Sequence, residues 1–280
     1  MIVCCWLLHF VGQVQEIFTQ WLGALLLLGL PFVVFAAAIH FLERGIQKNL
    51  AERFGWKSVL WTGWLGTPIH ELSHLLMCLV FRHRIEGVAF FEPDPTRRQL
   101  GYVRHSWRKG NWFEELGNAF IAVAPLIGGS LVLLLLLQLF YPESIPAILN
   151  PHLAPATDVF SQIQQSVKAV FAHVLQPDNL VTVRFWVFLY LVLSVGSHMA
   201  PSWNDYQGTG RSLLLLMAIT VAFLLIATVS GFAPDGFQRW VVSFCGPLFA
   251  LFAITILLCL IASIALMLVL SFFPKKFEVR

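Results

Sequence analysis

Apolar and polar positions alternate along this chain on a long scale: extended apolar runs are separated by short polar stretches. A helix rises 1.5 Å per residue, so about 20 apolar residues cross a bilayer core. Six runs reach that length, at 21–41, 58–81, 116–140, 183–200, 212–232 and 240–273. The last exceeds one crossing and predicts a helix that tilts or extends past the bilayer. Ahead of the first run, Trp6, Phe10 and Phe18 stand among polar residues, the pattern of a short interfacial helix.

Two connections carry elements of their own. Stretches 85–91 and 100–105 are β-prone and flank Glu92-Pro93-Asp94-Pro95-Thr96-Arg97-Arg98-Gln99, which is rich in turn formers. They predict a β-hairpin directly after the second run. Either the hairpin is a surface connection or its edge strand holds a substrate extended by backbone hydrogen bonds; its position favours the second. Within 141–182, Phe160, Ile163, Val167, Val170, Phe171 and Val174 recur at helical spacing behind Asp158 as an N-cap. This predicts an amphipathic helix in the membrane interface, serving as an anchor or as a lid. The fold class expected is an all-α polytopic membrane protein with about six transmembrane helices and a small β-hairpin. It divides into an N-terminal segment and first helix (1–57), a core (58–210) and two C-terminal helices (211–280).

Composition agrees with that class. Hydrophobic residues make up 58% and charged residues 12%, with a mean hydropathy of +0.76, where soluble domains carry about 25% charge. The net charge of +3 is too small and scattered for nucleic acid. Lys and Arg divide 11 to 7 between the two faces that six crossings define, which places the termini in the cytoplasm by the positive-inside rule. The first ten residues hold no Lys or Arg and no small-residue cleavage pattern follows, so no cleavable signal is expected. Cys4, Cys5, Cys78, Cys245 and Cys259 form no zinc-ribbon spacing and read as reduced, apolar side chains. Cys78, four residues after His74, either packs or faces the same site as that histidine.

The chemistry concentrates in His70-Glu71-Leu72-Ser73-His74, inside the second run. Residues four apart share a helix face, so His70 and His74 can present two imidazoles to one Zn²⁺ with Glu71 beside it. Ionisable groups in hydrocarbon are costly unless compensated, and a metal supplies the compensating charge. A catalytic zinc takes three protein ligands and keeps one position open. A third histidine six residues on is absent, since Val80 stands there, and no later apolar helix carries a central glutamate. Asp205 remains, just past Pro201 and the fourth run, with His198 one turn inside that run as the alternative ligand. The second and fourth runs cross in the same direction, so their C-terminal ends reach one face. Asn118 either donates a hydrogen bond to substrate or oxyanion or opens its helix; His105 either orients substrate or is a surface histidine.

These residues resemble the site-2 protease family of intramembrane zinc metalloproteases. The likeness rests on His70-Glu71-Leu72-Ser73-His74, on Gly117-Asn118-Ala119-Phe120-Ile121-Ala122-Val123-Ala124-Pro125, on Pro201 through Gly208 around Asp205, and on the hairpin between the first two. It covers about residues 58–210. Ala124 stands where the family usually has Gly, and Asn204-Asp205-Tyr206-Gln207-Gly208 replaces a Leu-Asp-Gly element, as in a divergent branch. The resemblance implies one Zn²⁺ per chain held by His70, His74 and Asp205, with Glu71 as the base that activates water. It implies a membrane-protein or peptide substrate within the lipid bilayer.

Overall fold

The computed structural model describes Gly23 and residues 30–97, 99–149, 159–202, 204–206, 208–229 and 234–277. The interfacial helix expected in the first twenty residues, and Asp158, lie outside them. The fold is mostly helical. Its elements are α1 (Leu30–Phe54), α2 (Leu60–Val80), β1 (Arg84–Ala89), β2 (Tyr102–Ser106), α3 (Trp112–Phe140), α4 (Pro146–Leu149), α5 (Val159–Val174), α6 (Pro177–Leu180), α7 (Val183–Gly196), α8 (Thr209–Val229) and α9 (Pro234–Leu270).

Three helices among the described residues are long and apolar enough to cross a membrane: α1, α3 and Cys245–Leu270 within α9. The other expected crossings fall short for two reasons. The 14 residues of α7 and the Thr209–Phe223 part of α8 are apolar but short. The 21 residues of α2 are long enough, but Thr62, Thr67, His70, Glu71, Ser73 and His74 dilute their hydropathy.

The first apolar run was expected to end at residue 41, yet the helix continues to Phe54. Pairs four residues apart carry it past the apolar stretch: Gln47 donates to Glu43 (2.7 Å), Arg53 to Asn49 (3.0 Å), and Lys48 pairs with Glu52 (3.8 Å). Gly55, in the left-handed region at φ 78°, then ends the helix, its N–H donating to Ala51 O at 2.9 Å. Helices α1 and α9 lie side by side and parallel. Phe35 stacks on Phe252 near the start of α1 (4.1 Å), while Arg53 near its end donates to Leu270 O (3.0 Å). Two parallel crossings have an odd number of crossings between them. Where both cross a bilayer, the start of α1 and the end of α9 therefore lie on opposite faces.

The core is built on α2, α3 and α7, which pack against one another. Helix α7 runs parallel to α2: Tyr190 O–H donates to Trp61 O (2.6 Å), and His70 meets His198 O eight residues further along, just past the end of α7 (2.7 Å). Small residues permit the close approach. A Cβ on Gly128 of α3 would lie 2.0 Å from Ser73 Oγ, and one on Gly66 of α2 would lie 2.1 Å from Ser194 O. Gly66→Val must therefore push α7 away from α2. The expected result is a loss of about 1–3 kcal/mol of stability in detergent, read as a lower unfolding temperature. Leu76→Ala, on an outer face 52% exposed, is the control expected to change it far less.

Helix α5 forms at the expected spacing, but protein covers much of it. Gln162, Ser166, Val170 and Val174 are buried at intervals of four residues. The helix packs along α9 and α4, and Ser166 O–H donates to Ala147 O (2.7 Å). Polar Gln162 and Ser166 thus face inward while Phe160 points out, a reversal that a hydrophobic periodicity cannot register.

Candidate metal centre

Helix α2 carries Pro68 two residues before His70, which leaves Trp64 O without its intrahelical donor at the approach to the site. One turn apart, His70 and His74 bring their Nε2 atoms within 3.0 Å of each other. Their Nδ1 atoms lie 2.7 Å from His198 O and 2.8 Å from Ile121 O. A carbonyl only accepts, so each Nδ1 carries the proton in the neutral ring and each Nε2 presents a lone pair. Two lone pairs then face each other, an arrangement that either a proton or a metal ion between them relieves.

Asp205 closes the third side. After α7 the chain passes Pro201 and folds back, and a short 3₁₀ turn at Asn204–Tyr206 holds the aspartate. Ser202 N–H donates to its Oδ2 (2.6 Å). Asp205 Oδ1 is 3.3 Å from His74 Nε2 and Oδ2 is 3.6 Å from His70 Nε2. Donors arranged tetrahedrally at about 2.0–2.1 Å from a metal are about 3.3 Å apart. Edges of 3.0, 3.3 and 3.6 Å bracket that value. His70, His74 and Asp205 therefore form a group able to hold a metal ion.

Glu71 is buried beside the group, close to the backbone of Val103. Both line a cavity of about 1640 Å³ that also holds the three donors and residues 99–105 of the hairpin. The hairpin is antiparallel, with Ile85 opposite His105 and Val88 opposite Val103, and Glu86 is a bulge. Its pairing extends through Glu92 N–H to Leu100 O (2.6 Å) and an isolated Asp94–Gln99 bridge. Leu100 and Gly101 press on Gly63 and Thr67 of α2, so β2 lies along the helix that carries the histidines.

The other expected residues are placed as follows. The His198 ring is turned away from the donor triangle, its Nδ1 3.1 Å from Ser197 Oγ and 3.2 Å from Ser194 O. Its backbone carbonyl, not its ring, serves the site. Asn118 is buried in the cavity wall, with Nδ2 donating to Glu115 O (3.3 Å) and Oδ1 without a partner among the described residues. It does not open its helix. That role belongs to Asn111, whose Oδ1 accepts from Phe113 N–H and Glu114 N–H, because α3 begins several residues before the apolar run. His105 is not a surface histidine: it lines the cavity and lies 2.9 Å, Nδ1 to Nδ1, from His83. Burial, followed by the neighbouring His83 and His74, lowers its pKa to about 4, which keeps it neutral at pH 7.

Glu43 and Gln47 of α1 also line the cavity, with Gln47 donating to Glu43 at 2.7 Å. The hydrophobic pattern ended the first span two residues before Glu43. The available signal was the Glu43/Gln47 pair at a spacing of four residues. No protein-family model, curated protein or solved structure matches this chain.

Proposed function

We propose that this protein is an intramembrane zinc metalloprotease of the site-2 protease type. One observation carries the reading: two oriented imidazoles face each other across 3.0 Å with the Asp205 carboxylate closing the triangle and Glu71 alongside. Two nitrogens and one carboxylate oxygen, with no thiolate, suit a tetrahedral zinc that keeps its fourth position open. When bound, zinc supplies Lewis-acid polarisation of a peptide carbonyl and a lowered pKa for water.

The chain's own groups do the rest. Glu71 takes a proton from water and returns it to the leaving amine. The backbone carbonyls of His198 and Ile121 hold the imidazoles in their tautomer. Strand β2, whose outer edge borders the cavity, pairs with an extended segment of a membrane-associated substrate and presents it to Glu71. Asn118 offers its amide to that substrate. In this reading α2, α7 and α8 lie at membrane depth beside the three longer helices, with an odd number of complete crossings, so that cleavage takes place within the bilayer.

A direct test compares membranes from cells that contain or lack the protein, in buffer with zinc, then with a zinc chelator, then with zinc restored. The expected result is a set of fragments with new termini inside apolar segments, present only with protein and zinc. Identical fragment sets in all conditions would remove proteolysis. The site would then belong to a metal-binding protein without cleavage, such as a divalent-metal transporter, a sensor or a catalytically silent binder of membrane clients.

A further inference from the structure

A second set of metal-ligating side chains converges where α2 ends. Cys78 lies one turn beyond His74, about 6 Å along the axis, and is fully buried. The chain leaves α2 through Arg82, in the left-handed region at φ 59°. His83 N–H donates to Cys78 O (2.8 Å) and Arg82 N–H to Leu79 O (3.2 Å), the paired bonds of a Schellman closure. That closure ties the backbones of Cys78 and His83 together.

The His83 ring is then oriented from a third element. Its Nε2–H donates to Glu114 O on α3 (2.7 Å), which leaves Nδ1 with a lone pair. This close approach depends on Gly117, whose Cβ would lie 2.9 Å from His83 Nε2. His83 Nδ1 points at His105 Nδ1, 2.9 Å away on β2. Cys78 Sγ and the two ring nitrogens all lie within 4.8 Å of one another. The construction repeats that of the first site: a histidine pinned by a backbone carbonyl turns its free nitrogen toward other donors.

We propose that Cys78, His83 and His105 form a second metal site, for Zn²⁺ or another borderline-to-soft cation. One thiolate and two imidazoles select such ions, and the absence of a carboxylate or carbonyl oxygen from the donor set disfavours Mg²⁺ and Ca²⁺. Binding replaces the thiol proton, which leaves to solvent, by a sulfur–metal bond. It also draws the sulfur and nitrogens toward the roughly 3.5 Å separations of a tetrahedral centre. Its effect is to clamp β2 to the end of α2 and so fix the strand that borders the cavity. This site does not depend on the protease reading.

Cobalt tests it, because only a thiolate ligand produces a sulfur-to-cobalt charge-transfer band in the near ultraviolet, and the His70–His74–Asp205 group has no thiolate. Metal-stripped protein in detergent is titrated with Co²⁺ as wild type, Cys78→Ser, His105→Gln and Asp205→Ala, with circular dichroism as the check on folding. Wild type is expected to show the band. Cys78→Ser should lose it, together with one bound equivalent. His105→Gln, altered on a half-buried strand, should need at least tenfold more cobalt to reach it. Asp205→Ala should keep the band, which separates failure of the first site from failure of this one. Folded wild type with no band at saturating cobalt would overturn the proposal, as would unchanged stoichiometry in Cys78→Ser. His83 and His105 would then share an ordinary hydrogen bond in which His105 keeps its Nδ1 proton.

Discussion

Glu71→Gln is expected to slow peptide hydrolysis by about 10²–10⁴-fold while leaving the metal in place. The argument is geometric. Glu71 sits between His70 and His74 in sequence, but the three close donor atoms belong to His70, His74 and Asp205, and Glu71 is not among them. Its side chain is buried in the cavity wall beside Val103 of β2. Glutamine keeps the size and one acceptor oxygen, so packing against β2 survives while the proton-accepting function is lost. Single-turnover hydrolysis and metal content, measured on the same preparation, read the two effects separately. Unimpaired hydrolysis in Glu71→Gln would remove Glu71 as the base. Loss of metal with loss of activity would instead make it a ligand.

The second large effect is expected at Asp205. Asp205→Ala deletes one of three donors and the negative charge that faces both imidazoles. Its zinc affinity should fall by more than the 10–100-fold typical of losing a supporting partner. His74→Ala should behave alike, and His198→Ala should retain the metal, since the carbonyl that holds His70 survives truncation of the ring. Zinc counted in a Cys78→Ser background confines the measurement to this site. Equal loss in His198→Ala and Asp205→Ala would mean that the His198 ring enters the coordination sphere. Retention of zinc in Asp205→Ala alone would exclude the carboxylate as a ligand.

Local pattern made much of this legible. A hairpin was readable because turn formers at 92–99 separate two β-prone stretches, and it forms with one bulge at Glu86. The pairing of His70 and His74 was readable because four residues are one helical turn. Asp205 emerged by elimination among carboxylates, and the structure brings it to the same two nitrogens. Other features were hidden. The first helix runs on past residue 41 because hydrogen-bonded and charged pairs continue it where the apolar run stops. Helix α5 buries Gln162 and Ser166, since its neighbours α4 and α9 offer polar partners or close packing that its own sequence does not encode.

The sequence by itself determined the apolar, mostly helical character of the protein, the hairpin, and the two histidines on one face of α2, because each depends on residues within a turn or two. Tertiary structure alone decided which carbonyls orient the imidazoles, that His198 turns its ring away, and that Cys78, His83 and His105 meet. Those outcomes depend on separations of up to 128 residues along the chain, from His70 to the His198 carbonyl. Such contacts form only when small residues such as Gly66 and Gly128 let whole helices approach, and no local periodicity reports that approach.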